Sequence, residues 1–307
     1  MTVIKASSRD IKTVHEFRAG RPNREDFSIA ETRRMDEEAT AHLQLPNGTA
    51  VEPVETGDGT QPGIRGEWVR TAGTRPDTAL LYLHGGAYVF CSPKTHRHLV
   101  AALGEATGMA AFALDYRLAP ESPFPAAVED ALAAYRWLLD QGFAPNRIAV
   151  AGDSAGGGLT VAMLVAARDA GLPMPAAAVC LSPWADLTIT AESFVTKASL
   201  DSLTGERLRR LGLLYLNGAE DKHPLASPVF ADLRSLPPLL IQVGTDEVLY
   251  DDSLHLEAAA KAAGVETELE VWEAMIHVWH YYHPMLREGR DAIARIGDFV
   301  KILIGRN

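Results

Sequence analysis

A serine between two glycines stands where a buried apolar run gives way to a helical pattern. The pentapeptide Gly152–Gly156, with the sequence GDSAG, follows the apolar run Arg147–Ala151 and precedes a segment with few helix breakers. A serine in so sharp a strand-to-helix turn adopts a strained positive φ, which lifts its hydroxyl above the sheet. Glycines on either side remove side chains that would otherwise collide. The pattern predicts that Ser154 is a nucleophile, and that Asp153 is directed away from the tip of the turn in a structural role.

A glycine pair ends an earlier apolar run. The segment Leu80–Leu83 leads into the sequence HGGAY, which begins at His84. Attack of a hydroxyl on an acyl carbon places negative charge on the carbonyl oxygen, and backbone N–H groups stabilise that charge where no side chain blocks their approach. We expect the N–H groups of Gly85, Gly86 and Ala155 to form this oxyanion hole. His84 is interpreted as holding the loop by hydrogen bonds.

A serine hydroxyl needs a base to remove its proton, and an imidazole suits that task near neutral pH. His277 follows the apolar run Thr267–Trp272 after a short loop, so it is expected at the same carboxyl edge of the sheet as Ser154. In hydrolases with a serine in a strand-to-helix turn, an acid and then a histidine follow the serine along the chain. We therefore predict His277 as the base. The other histidines after Ser154 are His223, His255 in a helical segment, and His280 and His283 near the last helix.

Four acidic residues follow the apolar run Leu239–Val243. Asp246 comes first after the strand and is the predicted acid that orients the base and stabilises its imidazolium form. Glu247 is a rival candidate. Asp251 and Asp252 are also rivals, but they fall in the first turn of the next helix, where acidic side chains commonly complement the helix dipole.

Short apolar runs alternate with longer amphipathic stretches from residue 78 onward, which predicts a doubly wound, mostly parallel sheet. Two further strands within Val51–Arg70 are expected at its antiparallel edge, so that the sheet has eight strands flanked by helices. The six later strands are predicted at Ala79–Leu83, Met109–Asp115, Arg147–Ala151, Ala177–Leu181, Leu239–Val243 and Glu268–Val271. The helices are predicted at Thr95–Thr107, Pro125–Gln141, Ala155–Gly171, Thr204–Leu216, Val248–Ala263 and Pro284–Ile304.

Two segments depart from this alternation. Residues 1–45 have a helical pattern without a strand, and residues 188–228 form a helical insertion between two strands. Long insertions in compact domains are usually functional or disordered. We expect both segments to cover the carboxyl edge of the sheet as a cap, with residues 46–187 and 229–307 forming the core. The alternative is that each decorates the surface independently.

Composition excludes several classes of partner. The 307 residues carry a net charge of −11, with 40 acidic and 29 basic side chains and no basic stripe, so no nucleic-acid partner is expected. No apolar run approaches the ~18 residues that a membrane span needs, and no secretory signal is recognisable at the N-terminus. We therefore expect a cytoplasmic protein without stable membrane insertion. Cys91 and Cys180 are expected to be reduced packing residues.

With these motifs, the sequence resembles the bacterial hormone-sensitive-lipase-like esterases of the α/β-hydrolase superfamily. The stretches DYRLAPE (115–121), FPAAVED (124–130) and LSPWAD (181–186) are typical of that family. Ala87 departs from a third glycine that the family commonly has. The resemblance implies an α/β-hydrolase fold with a helical cap and a catalytic aspartate at Asp246. It also implies hydrolysis of small-molecule esters with short to medium acyl chains, through an acyl-enzyme on Ser154 and without a metal or organic cofactor, and it allows a homodimer through the sheet edge.

Candidate pocket residues lie near the motif loops or in the expected cap. Candidate contacts are Phe90, Trp184, Leu203 and Val278, of which Trp184 is favoured by the resemblance. Leu200 and Trp279 are further candidates, and each of the six could equally be a core residue. A non-catalytic receptor on the same scaffold would lack a triad member, whereas all three residue types are present here. An amidase, peptidase or lactonase would use the same triad, so the sequence does not separate these chemistries.

Overall fold

The computed structural model describes residues 1–6, 10–19, 27–57 and 63–305, and within these residues nine strands form one sheet. The strands are β1 (Thr2–Ile4), β2 (Ala50–Glu55), β3 (Arg65–Arg70), β4 (Arg75–Leu83), β5 (Met109–Leu114), β6 (Ile148–Asp153), β7 (Ala177–Leu181), β8 (Leu239–Gly244) and β9 (Thr267–Trp272). Their order across the sheet is β1-β9-β8-β7-β6-β4-β5-β3-β2. Only the pairs β2–β3 and β3–β5 are antiparallel among the described strands, which confirms the predicted mostly parallel sheet with an antiparallel edge.

The helices follow the predicted alternation. They are α1 (Ile11–Ala19), α2 (Ile29–Thr40), α3 (Pro93–Thr107), α4 (Ala126–Asp140), α5 (Ala155–Asp169), α6 (Ser193–Thr196), α7 (Gly205–Leu216), α8 (Tyr250–Ala262) and α9 (Arg287–Gly305). Each predicted helix is present, with ends that differ by at most three residues. No helix in the described part of the chain is long and apolar enough to span a membrane.

One predicted feature of the sheet is wrong. The count of eight strands omitted β1, which lies in the segment 1–45 that was expected to hold no strand. Thr2, Val3 and Ile4 pair in parallel with the edge of β9. A strand of three residues is too short to show the period of two that identifies strands in a sequence. Parts of the helical pattern predicted in 1–45 and of the predicted antiparallel edge lie outside the described residues. These parts fall on residues 7–9, 20–26 and 58–62.

The sheet separates two layers of helices. Successive side chains of a strand point to opposite faces, so Leu81 and Leu83 of β4 belong to one core cluster and Leu80 and Tyr82 to the other. The first cluster holds residues of α4, α5 and α8, and the second holds residues of α3 and α9. The central parallel strands are buried on both faces, as expected for strands covered by helices. The loops that follow their carboxyl ends carry candidate site residues.

Candidate active site

Ser154 occupies the turn between β6 and α5. Its φ of 54° and ψ of −121° confirm the predicted positive φ, and its N–H donates to Leu181 O at 2.8 Å. A Cβ on Gly152 would lie 2.2 Å from Gly156 O, and one on Gly156 would lie 1.9 Å from Leu83 O. The two flanking glycines are therefore required because their backbones approach each other and the neighbouring strand too closely for any side chain.

Ser154, His277 and Glu247 form a continuous hydrogen-bonded chain. Ser154 Oγ lies 3.0 Å from His277 Nε2, and His277 Nδ1 lies 2.8 Å from Glu247 Oε2. His277 reaches this position from the loop after β9, and Glu247 from the loop after β8. The side chain of Glu247 is fully buried, and that of His277 is 12% exposed. A hydroxyl, an imidazole and a carboxylate in this order can generate a serine nucleophile.

The predicted pairing of His277 with Asp246 is wrong by one residue. The carboxylate of Asp246 accepts a hydrogen bond from the hydroxyl of Thr245 at 2.8 Å, on the partly exposed side of the turn. Glu247 points inward, where its Oε1 accepts hydrogen bonds from Ser182 Oγ at 2.8 Å and Gly244 N at 2.7 Å. The direction of the turn after β8 decides between the two consecutive acids.

The surroundings of His277 favour its protonated form. Burial lowers the pKa of His277, but the hydrogen bond and charge of Glu247, followed by the charges of Asp201 and Asp153, outweigh burial and raise it above its ordinary value. A base of this kind accepts a proton readily from a hydroxyl within hydrogen-bond distance.

The glycine loop after β4 provides a different set of N–H groups from the predicted one. Gly85 N donates to Asp153 Oδ1 at 2.9 Å, so it is not available to a substrate, and its predicted role in the oxyanion hole is wrong. Gly86 and Ala87 line the cavity with Ser154, and their N–H groups have no acceptor within the described ranges. Ala155 N, at the start of α5, likewise has none there. The available donors are therefore Gly86, Ala87 and Ala155.

Buried polar contacts hold the glycine loop after β4 in place. Asp153 accepts from Tyr82 Oη at 2.6 Å and from His96 Nε2 at 3.3 Å, besides Gly85 N. Burial alone would raise the pKa of Asp153, but His96 and Tyr82 hold it at about 2. His84 Nδ1 donates to Gly85 O at 2.7 Å. These contacts agree with the interpretation of Asp153 and His84 as structural residues.

Ala87 shows how the chain accommodates the residue that replaces a third glycine. Its φ is 54° and that of Tyr88 is 61°, in the left-handed region that favours glycine. Gly86 has a φ of 113°, and a Cβ there would lie 2.2 Å from Phe90 O. The alanine therefore adopts a strained conformation at the cavity wall.

A cavity of about 220 Å³ opens above Ser154. Its walls come from the glycine loop, from both segments that were predicted to form a cap, and from the loop after His277. Three of the four predicted pocket residues, Phe90, Leu203 and Val278, line it. The N-terminal helices contribute Arg18, Asp36, Ala39 and Thr40, and the 188–228 segment contributes Ser202, Leu203, Arg207, Leu208 and Leu211.

The fourth predicted pocket residue, Trp184, is not part of the cavity wall. It is fully buried, its Nε1 donates to Asp186 O at 3.1 Å, and its ring packs against Gly212 of α7. The backbone of Trp184 also approaches Gly158 so closely that a Cβ there would lie 2.1 Å from Trp184 O. Trp184 therefore joins α5 to the 188–228 segment as a core residue. Leu200 and Trp279 are also absent from the cavity wall, and Trp279 is buried in a separate apolar cluster.

Neither cysteine forms a disulfide, and the two lie in different surroundings. Cys180 lies in the core with Sγ 3.4 Å from Gly157 O, and burial raises its pKa. Cys91 is partly buried and lines the cavity. No cluster of histidine, cysteine and acidic side chains suited to a metal ion occurs in the ranges that the structure describes.

Comparison with known proteins extends over nearly the whole chain. Residues 80–281 match the sequence family described as "alpha/beta hydrolase fold". An acetyl-hydrolase of Streptomyces hygroscopicus is 53% identical over 270 residues, which are 88% of this chain and 87% of that protein. The crystal structure of an esterase from the bacterial hormone-sensitive lipase family superimposes with a TM-score of 0.91 at 48% identity, covering 98% of this chain and 100% of that one. EstE5, from a crystal soaked with p-nitrophenyl butyrate, has a TM-score of 0.91 at 50% identity and covers 97% and 100%.

Proposed function

Because this chain belongs to the α/β-hydrolase family, in its branch of bacterial hormone-sensitive-lipase-like esterases, we propose that it is a serine carboxylesterase. It hydrolyses esters with short to medium acyl chains through an acyl-enzyme on Ser154. The observation that carries this proposal is the hydrogen-bonded chain from Ser154 Oγ through His277 to Glu247.

The reaction proceeds in two similar halves. Ser154 Oγ attacks the ester carbonyl carbon while His277 Nε2 takes the hydroxyl proton. The π electrons of the carbonyl group move onto the carbonyl oxygen, which becomes negatively charged. The intermediate then collapses, the bond to the alcohol oxygen breaks, and His277 returns its proton to the leaving alcohol. Water attacks the acyl-enzyme in the same way and releases the acid. Throughout, Glu247 holds the Nδ1–H of His277 and stabilises the imidazolium.

The negative oxygen of each intermediate is bound by backbone N–H groups. Gly86, Ala87 and Ala155 have N–H groups without other acceptors in the described residues. Gly86 and Ala87 line the cavity with Ser154, and Ala155 directly follows Ser154 in the chain. Removal of one such donor typically costs about 3–4 kcal/mol of transition-state stabilisation. Asp153 contributes indirectly, because its hydrogen bond to Gly85 N fixes the loop that carries Gly86 and Ala87.

The cap determines which esters reach Ser154 and His277. We assign α1, α2 and residues 188–228 to the cap, since residues of each line the cavity over Ser154, whereas β1 belongs to the sheet. Leu203, Leu208 and Leu211 give one wall an apolar character that suits an acyl chain or an uncharged alcohol. The volume of about 220 Å³ favours small esters over long-chain lipids.

A panel of p-nitrophenyl esters from acetate to dodecanoate, run beside the matching anilides, tests the proposal. We expect kcat/KM to be highest for acetate to hexanoate and to fall at least about tenfold by dodecanoate, because each extra methylene must find space in a small cavity. Anilides are expected to react far more slowly than esters. Faster hydrolysis of anilides, or activity that survives in Ser154→Ala, would contradict the proposed function.

A further inference from the structure

We propose that Asp201, on the 188–228 segment, is a positioning residue for the Glu247–His277 pair, and that Arg18 of α1 acts on this pair through Asp201. The inference rests on the proposed serine-esterase function and deepens it. It gives the cap a part in preparing the base, in addition to forming the wall of the cavity.

Asp201 contacts the loop that carries the triad acid. Its side chain is fully buried, and its Oδ2 accepts a hydrogen bond from Val248 N at 3.0 Å. Val248 directly follows Glu247 in the chain, so this bond fixes the peptide next to the triad carboxylate. Asp201 Oδ1 accepts from Leu203 N at 3.1 Å, which holds the carboxylate in its own loop beside a residue of the cavity wall.

The same segment also holds the other polar group of Val248. Ser193 Oγ, in α6, donates to Val248 O at 2.6 Å. The backbone N–H and C=O of Val248 are therefore both bound by residues of the 188–228 segment. Glu247 itself accepts hydrogen bonds from two groups of the core, Ser182 Oγ and Gly244 N. The core orients the Glu247 carboxylate, and the insertion fixes the backbone that follows it.

Arg18 connects the N-terminal segment to this arrangement. Its Nη2 lies 3.6 Å from Asp201 Oδ1 and also contacts Ser202 Oγ, and its side chain is only 14% exposed. A buried carboxylate is stabilised by a nearby cation, and loss of either partner leaves the other without its countercharge. Arg18 also lines the cavity above Ser154.

Charge at Asp201 acts on His277 in a defined direction. Burial lowers the pKa of His277, whereas Glu247 and then Asp201 and Asp153 raise it. Removal of the Asp201 charge therefore lowers this pKa. Because the Arg18 guanidinium lies 3.6 Å from Asp201 Oδ1 and opposes its charge, we expect removal of the Arg18 charge to raise it. The titratable and charged groups around His277 are Glu247, Asp201, Asp153 and His280, and the cavity wall adds Arg18, Asp36, Cys91, His96, Arg207, Tyr281 and Tyr282.

The test compares the pH dependence of kcat/KM for p-nitrophenyl butyrate in Asp201→Asn and Arg18→Gln. Asp201→Asn removes the charge and keeps one oxygen, which can still accept from Val248 N while the new NH2 replaces the oxygen that accepts from Leu203 N. With the charge gone, the acid limb shifts by about half a pH unit to lower pH. Arg18→Gln shifts it by a smaller amount to higher pH. Opposite shifts from two partners of one ion pair are not produced by a general loss of stability.

Asp201→Ala separates positioning from charge. It also removes the acceptor of Val248 N, so kcat falls at least about tenfold below that of Asp201→Asn. Glu220→Gln, an exposed acid of the same segment, is the matched control and leaves the acid limb in place.

Two results would overturn the inference. One is an acid limb that stays in place in both Asp201→Asn and Arg18→Gln. The other is equal kcat in Asp201→Asn and Asp201→Ala. If Asp201→Asn does not fold, the direction of the Arg18→Gln shift decides alone. Loss of activity in Ser154→Ala together with either overturning result would refute the role of Asp201 and leave the esterase proposal standing.

Discussion

Glu247 Oε2 lies 2.8 Å from His277 Nδ1, while the preceding residue, Asp246, bonds to a threonine hydroxyl on the outer side of the same turn. Both residues are acidic and they are adjacent in the chain, but only one is fully buried with its second oxygen bound to Ser182 and Gly244. The pair gives a direct comparison between an acid inside the site and one beside it.

Removal of the charge at position 247 is expected to reduce activity strongly. Glu247→Gln keeps the size of the side chain but loses the carboxylate that stabilises the His277 imidazolium, so kcat falls roughly 10³-fold. Asp246→Asn is the matched control and stays within about twofold of the wild type in ester hydrolysis. The reverse order of the two variants would restore Asp246 as the acid.

The pH dependence of kcat/KM reports the state of His277. The base must be neutral to accept the serine proton, so activity is lost as the pH falls through its pKa. Because this pKa is raised, the midpoint of the acid limb is expected above 6.5, the ordinary histidine value. In Glu247→Gln the limb moves to lower pH, since a cause that raises the pKa is gone while burial remains. A limb at or below 6.5 in the wild type would contradict this account of the base.

Asp153 is expected to act through the glycine loop. Asp153→Ala removes the acceptor of Gly85 N, Tyr82 Oη and His96 Nε2, so the loop loses its fixed position and kcat falls at least about 100-fold. Asp153→Asn retains an oxygen for Gly85 N and keeps activity within about tenfold of the wild type. Equal losses in the two variants would mean that charge, not the hydrogen bond to the loop, is what the site requires.

Two glycines of similar burial are expected to respond in opposite ways to substitution by alanine. In Gly212→Ala, within α7, the new Cβ meets the Trp184 ring at 3.6 Å, an ordinary contact. The helix then gains about 0.5–1 kcal/mol of unfolding free energy, because alanine restricts the unfolded chain. In Gly156→Ala the Cβ would lie 1.9 Å from Leu83 O, which costs about 3 kcal/mol.

Urea denaturation monitored by circular dichroism measures both changes, and equal destabilisation would contradict the packing described around α7.

Local patterns were sufficient to predict the alternating sheet and the position of Ser154. The strand–turn–helix context of the GDSAG motif predicted the positive φ of Ser154, because the sequence constrains that turn through sterics alone. The alternation of apolar runs predicted the parallel strands for a similar reason, since the strands are buried on both faces. Both features leave a pattern of residue types within a short stretch, so they can be recognised before the distant contacts are known.

The wrong predictions concern which side chain or N–H group faces the site. Contacts with residues far away in the sequence determine this. Whether Asp246 or Glu247 faces His277 depends on Ser182, which lies 65 positions before Glu247 in the chain. Whether Gly85 or Ala87 offers a free N–H depends on Asp153, 68 positions after Gly85. Trp184 was favoured as a pocket residue by the family resemblance, but its ring packs on α7 in the core. A serine in the LSPWAD stretch, Ser182, was the signal that could have favoured the longer acid.

Labelling with a fluorophosphonate, followed by peptide mass mapping, tests the central claim most directly. The wild-type protein is expected to gain one phosphonyl group, on Ser154, with loss of p-nitrophenyl butyrate hydrolysis in the same proportion. Ser154→Ala is expected to be neither labelled nor active while it retains the circular dichroism spectrum of the wild type. Labelling at another residue, or hydrolysis by folded Ser154→Ala, would contradict the assignment of Ser154 as the nucleophile.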